Sequence, residues 1–151
     1  MTRRAVSIAL KIPDNTAYTA LVALRRLGIE VERIERSEIY VFDDDGDADA
    51  LTARILADET LFNPNKHRLS LLESPRPGWG EVWIEPLGVN GGEGLIATAW
   101  RLFGPRGTPV KRPVLETAIE RLLCNPAIDR AVTSMDANDR DIPSTGEKEL
   151  P

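Results

Sequence analysis

The sequence predicts an α+β protein in which helices pack on an antiparallel sheet. Three observations carry that expectation. Val6-Ser7-Ile8-Ala9-Leu10-Lys11-Ile12 alternates with the two-residue period of a half-buried strand. Ala17, Ala20, Leu21, Leu24 and Leu27 then fall on one face of a helix, and Gly28 follows where a left-handed residue closes it. Finally, "LFNPNKH" (61–67) and "LLCNPAID" (122–129) each set an Asn-Pro pair behind two side chains at a predicted helix end, with a strand-like stretch beyond.

Taken in order, the first strand ends at Pro13, and Asp14 or Asn15 caps a helix over 16–27. Glu30 to Ser37 and Glu38 to Phe42 are rich in strand formers and predict a hairpin. Asp43-Asp44-Asp45-Gly46 is a loop. Asp47 caps a second helix over 48–62, whose core face is Leu51, Ile55 and Phe62, with Asp47 and Asp49 at the end the helix dipole favours. His67 to Leu72 is a further strand. The first 72 residues thus predict β-α-β-β-α-β, a ferredoxin-like unit over 1–73. Ser74-Pro75-Arg76-Pro77-Gly78 is a linker by composition. A second unit over 79–135 opens with the strand Glu81–Glu85. It continues through the loop Gly88–Gly94 to a helix marked by Leu95, Ile96, Ala99, Leu102 and Phe103. A second helix begins at Pro113 with the stripe Leu115, Ala118, Ile119 and Leu122, and Asp129–Ser134 closes as a strand. That order is β-α-α-β. The polar stretch 136–151, with Pro and Gly, predicts a flexible tail.

Spacing relates the two halves. Val6 precedes Gly28 by as many residues as Val82 precedes Gly104, and "ALVALRRLG" faces "IATAWRLFG". From the glycine to the Asn-Pro pair the second half is shorter, by about the size of the hairpin at 29–43. The expectation is a degenerate internal repeat that replaced its hairpin with a proline-rich crossing.

Composition narrows the function classes. The chain has 151 residues, a formal net charge of -5 and 42% hydrophobic residues, enough for a packed core. Its arginines are dispersed among carboxylates, which disfavours nucleic-acid binding. No apolar run approaches the roughly 20 residues of a membrane span. The start leads straight into a strand pattern, and the single cysteine, Cys124, leaves no internal disulfide, so the expected location is cytoplasmic.

Leu27-Gly28, the strand-rich stretch Val31–Tyr40, and Leu61 to Pro64 match a known order and spacing, and Leu122-Leu123-Cys124-Asn125-Pro126 repeats the last motif. In these features the chain resembles the PurS family, the small subunit of bacterial phosphoribosylformylglycinamidine synthase. The likeness covers residues 5–72, and 81–134 less closely. Ile12–Thr16 stands where the family has Asp-Pro-x-Gly, and Ser37-Glu38 where it has Gly-Lys. The resemblance implies a non-catalytic subunit without cofactor. Such a subunit would bridge the synthetase and glutaminase subunits of the formylglycinamidine ribonucleotide complex in purine synthesis, with a homodimer as a further expectation. The alternative, by fold-level analogy, is a free-standing regulatory module that binds a small metabolite.

Proline pushes the residue before it out of the helical region, so Asn63 and Asn125 must end their helices, and asparagine tolerates the reversal that follows. Around them Asn63, Asn65, Lys66, His67 and Asn125 are the candidate contact residues for a partner or ligand. Gly91, Gly92 and Gly94 are a candidate anion-binding loop through backbone N–H groups, although the spacing fits neither a dinucleotide fingerprint nor a P-loop. No metal site is expected. An EF-hand register on Gly46 puts Val41 and Thr52 where carboxylates belong. Cys124 sits at a predicted helix C-terminus, whose dipole disfavours a thiolate, so no Cys124–His67 dyad is expected. Trp79, Trp83 and Trp100 cluster in the second half, as core or as interface.

Overall fold

The computed structural model describes residues 2–44, 46–88 and 93–134. It is α+β, as expected, with helices on a six-stranded antiparallel sheet. The elements are β1 (Thr2–Leu10), α1 (Asn15–Arg26), β2 (Arg33–Asp44), α2 (Ala48–Leu56), β3 (His67–Leu71), β4 (Glu81–Pro86), β5 (Gly94–Phe103), α3 (Arg112–Ala118) and β6 (Asp129–Thr133). A short 3-10 turn spans Pro105–Gly107, and α3 runs on as a π-helical turn over Ile119–Leu123.

Several expectations hold in detail. Asp14 caps α1, its carboxylate accepting from the Ala17 N–H at 3.1 Å. Asp47 caps α2 through the Ala50 N–H at 2.8 Å. Gly28 follows α1 with φ +82°, the left-handed conformation that glycine adopts without a side-chain penalty.

Three expectations are corrected. Residues 30–42 form no hairpin: β2 is one continuous strand, because Ser37-Glu38 lacks the positive-φ residues of a tight turn and simply pairs onward. The first unit is therefore β-α-β-α-β. Residues 95–103 form no helix: they are β5, paired along β2 and β4. The second half is β-β-α-β rather than β-α-α-β. With Gly104 following a strand, the match of Gly104 to Gly28 fails, and what the second half lacks is the counterpart of α1. The second helix is also shorter than expected. It ends at Leu56, and turns on Asp58 carry the chain to Phe62, which is still buried in the core. The stretch 136–151 lies outside the described residues.

The strands run in the order β3-β1-β2-β5-β4-β6. Pairing from either edge inward follows one pattern. Val6 of β1 lies between Leu71 of β3 and Tyr40 of β2. Val82 of β4 lies between Thr133 of β6 and Trp100 of β5. Leu10 faces His67, and Pro86 faces Asp129. At the centre, β2 and β5 pair with Glu38 opposite Thr98, flanked by Arg36 opposite Trp100. The register shifts between Ile39 and Tyr40, so that Tyr40 faces Leu95.

Alternation gives the sheet two apolar faces. On the helix side, Val6 and Ile8 pack with Leu51, Ile55 and Phe62 under α2. Val82, Ile84 and Leu102 pack with Leu24 of α1 and with Leu115 and Ala118 of α3. On the other side, Ile39, Trp83, Ala97 and Ala99 form a second cluster with Leu72. The link from β3 to β4 must cross from an outer strand to the fifth position, and it runs over this second face. It is fastened there by Glu81, only 8% exposed, whose carboxylate accepts from the Gly78 N–H (2.7 Å), the Trp83 indole (3.2 Å) and Arg101 (3.1 Å). Glu81→Ala leaves those donors without their acceptor and should cost about 2–3 kcal/mol in denaturant unfolding, whereas Glu81→Gln should cost less. Next to it, Gly80 has φ +70°, and a Cβ there would come within 2.7 Å of the Pro109 Cβ. Gly80→Ala should therefore lower stability by about 1–3 kcal/mol, read as a drop in Tm.

Candidate functional site

The predicted contact residues fall into two turns built alike. In the first, the Asn63 carbonyl accepts from the N–H groups of Lys66 (2.9 Å) and His67 (2.8 Å), and its side-chain oxygen accepts from Asn65 N–H (2.8 Å). In the second, the Asn125 carbonyl accepts from Ile128 (2.9 Å) and Asp129 (2.8 Å), and its side-chain oxygen from Ala127 N–H (3.1 Å). The residue four positions on returns a bond to the asparagine N–H: His67 Nδ1 at 2.9 Å, Asp129 Oδ2 at 3.4 Å. Each turn is then pinned to the neighbouring strand, Lys11 N–H to the Lys66 carbonyl (2.7 Å) and Leu87 N–H to the Ile128 carbonyl (2.8 Å). Asparagine suits both places because its short amide mimics a backbone turn. Only Asn125 follows closely on a helical turn, which ends at Leu123; α2 has already ended at Leu56, so Asn63 does not end its helix as expected.

The structure brings Asn63, Asn65, Lys66 and His67 together but does not bring Asn125 to them. The first turn leads into β3 and the second into β6, the opposite edges of the sheet. With its Nδ1 accepting a backbone hydrogen, neutral His67 carries its proton on Nε2; its ring also lies 5.9 Å from that of Phe62. His67 therefore has a structural task. His67→Ala should lower stability by about 1 kcal/mol through the lost bond, with the far-ultraviolet spectrum unchanged.

The remaining candidates are dispersed. Gly91 and Gly92 lie outside the described residues, and Gly94 opens β5 with φ +107°. Asp43 pairs with Arg3 at 3.3 Å, Asp44 accepts from the Gly46 N–H, and Asp47 caps α2, while Asp45 lies outside the described residues. Among the described residues no group of three His, Cys, Asp or Glu could hold a metal ion. Cys124 is half-buried just past the π-helical turn, away from His67 at the far edge, and burial together with the Asp129 carboxylate pushes its thiol above the usual range. Alkylation of Cys124 by iodoacetamide should thus be slower than that of a free cysteine at neutral pH, and Asp129→Asn should speed it. Trp83 is buried; Trp79 and Trp100 are partly so.

Two features had no clear signal in the sequence. Asp14 does more than cap α1: Arg36 binds its carboxylate at 3.1 and 3.3 Å and lies 5.9 Å from the Trp100 ring, tying the helix N-terminus to β2 and β5. A cleft of about 680 Å³ opens beyond the other end of α1, with Arg25, Glu30, Glu32 and Lys111 among its lining residues. Its walls are 28–32 and 104–111, loops distant in sequence, so only the fold could reveal it. Among the described residues, no helix is long and apolar enough to cross a membrane. Compared with known proteins, the chain matches no family model and no curated protein.

Proposed function

We propose that the chain is a PurS-like accessory subunit: a non-catalytic scaffold that bridges the synthetase and glutaminase subunits of a formylglycinamidine ribonucleotide amidotransferase complex. In this reading it is a tandem of two PurS-like units fused in one chain, and the second unit has lost its first helix. The observation that carries the reading is the paired Asn-Pro turns. They share the same carbonyl, amide and side-chain bonds, and lead into the two outer strands, whose registers match from either edge inward. Fusion of two units into a pseudo-dimer would leave that pattern. The reading gives the chain no chemistry of its own. The candidate thiol and imidazole stand on different edges, and Tyr40, pushed up to about 12 by burial and by Glu38, stays protonated near neutrality.

Affinity capture of the tagged protein from its native cell should recover a synthetase and a glutaminase subunit together. Recovery of neither, from cells in which the protein is folded and abundant, overturns the reading. The 680 Å³ cleft favours the second reading, a module that binds a small metabolite. In that case nucleotides, purine intermediates or amino acids should raise Tm in a concentration-dependent way.

A further inference from the structure

The cleft beyond the C-terminal end of α1 has walls from both halves of the chain, and every residue lining it is described. One wall is the stretch 28–32, which alternates. Ile29 and Val31 turn into the core, 7% and 2% exposed, while Glu30 and Glu32 stay in solvent. The Glu32 N–H donates to the Phe103 carbonyl at 2.8 Å and ties this wall to the end of β5. The other wall, 104–111, is folded back by two bonds, from Gly104 N–H to the Thr108 carbonyl (2.6 Å) and from Val110 N–H to the Leu102 carbonyl (3.0 Å). Both walls are thus held by the fold itself, which lowers the ordering cost of binding.

The buried and half-buried side chains of the lining are apolar: Ile29, Val31, Pro109, Val110 and Val114. The exposed lining carries four charges, Arg25, Glu30, Glu32 and Lys111. None of the four forms an ion pair with another, or with any described residue. The Nε of Arg25 donates to the Val31 carbonyl at 2.9 Å. That bond holds the guanidinium across to the first wall and leaves both Nη groups to donate elsewhere. Other basic residues nearby are engaged or set apart. Arg33 pairs with Glu35 and lies 4.0 Å over the Phe103 ring, and Arg112 pairs with Glu116. Arg26 and Arg106, next in sequence to lining residues, do not line the cleft.

Two cations and two carboxylates around an apolar lining select a ligand class. A simple anion would gain Arg25 and Lys111 but meet two carboxylates, and a simple cation would meet the reverse. A neutral apolar ligand would cover the charges and leave them unpaired, at a desolvation cost. A zwitterion with an apolar body satisfies every part. Its carboxylate takes charge-assisted hydrogen bonds from Arg25 and Lys111, its ammonium donates to Glu30 and Glu32, and its side chain rests on Val110 and Val114. The cleft, about 680 Å³, has room for a body of that kind up to the size of a dipeptide.

We propose that this cleft binds a small zwitterion with an apolar side chain, a free α-amino acid or a dipeptide, its carboxylate at Arg25 and Lys111 and its ammonium at Glu30 and Glu32. Such a ligand narrows the metabolite-binding reading, on which this assignment rests, to one chemical class. The test is a titration of the 15N-labelled full-length protein with L-leucine and, separately, with L-leucyl-L-leucine. Amide shifts within 28–32 and 104–111 should saturate for at least one of them, with a Kd on the order of 0.1–1 mM, and the better ligand identifies the size. 4-Methylpentanoate lacks the ammonium and isoamylamine lacks the carboxylate, so each should bind about tenfold more weakly than leucine. Lys111→Gln, and Glu30→Gln combined with Glu32→Gln, change exposed side chains only. Each variant should weaken binding about tenfold while the rest of its spectrum stays as in the parent protein. No saturation by either compound up to about 20 mM overturns the proposal. So does binding of the one-charge analogues as tight as that of leucine, or binding indifferent to both variants. If leucine and the dipeptide fail while a nucleotide raises Tm, the zwitterion is overturned and the metabolite-binding reading stands. If every compound fails, both fall.

Discussion

The antiparallel seam between β2 and β5 is the constraint on which the rest of the molecule depends. It joins residues from the two halves of the chain along nearly the full length of both strands, from Arg33 opposite Phe103 to Val41 opposite Gly94. Without it, each half would be a three-stranded sheet with an exposed inner edge, and α1 would lose the strand it covers. The seam places Leu102 beneath α1, though the two are far apart in sequence, and so commits a helix of the first half to the core of the second. Burying a side chain of that size contributes about 1.5–3 kcal/mol. A cluster of eight buried side chains spanning both halves therefore makes them interdependent rather than merely adjacent.

That cross-over of α1 also organises the candidate sites. Arg36 and Asp14 lock its N-terminus over the seam, and the large cleft opens beyond its C-terminus. The Asn-Pro turns, by contrast, sit at the far edges and hold the outer strands in register. Their internal hydrogen bonds engage the Asn63 and Asn125 side-chain oxygens and His67 Nδ1, groups that the sequence offers as contacts. His67 illustrates this: as a lone histidine it invites a chemical role, but its Nδ1 is already engaged by the turn.

Much of this was legible from residues alone, for identifiable reasons. Asp14 and Asp47 announced their caps because a carboxylate just before an apolar stripe has a local use. The Asn-Pro turns were legible because proline acts on its immediate neighbour. The failures were non-local. Leu95, Ile96, Ala99, Leu102 and Phe103 satisfy a helical period, yet β5 is a central strand whose Ala97 and Ala99 face one apolar layer while Leu102 faces the other. A strand buried on both sides loses its alternation and can mimic a helix. That mimicry also hides which element the second half lacks, the counterpart of α1. The two strand-rich stretches 30–37 and 38–42 read as a hairpin, yet one strand carries both: Arg33 and Glu35 pair with each other at 2.6 Å, and Arg36 reaches Asp14, a partner distant in sequence.

Native-state hydrogen exchange, read residue by residue, tests the central claim most directly. If the seam makes the two halves one cooperative structure, the amides of β2 and β5 should be among the slowest to exchange, and those of β1 and β4 should open with them at the free energy of global unfolding. If the halves are instead independent units held by a linker, 2–71 and 81–133 would exchange with separate opening free energies, and β5 would show no more protection than a lone edge strand.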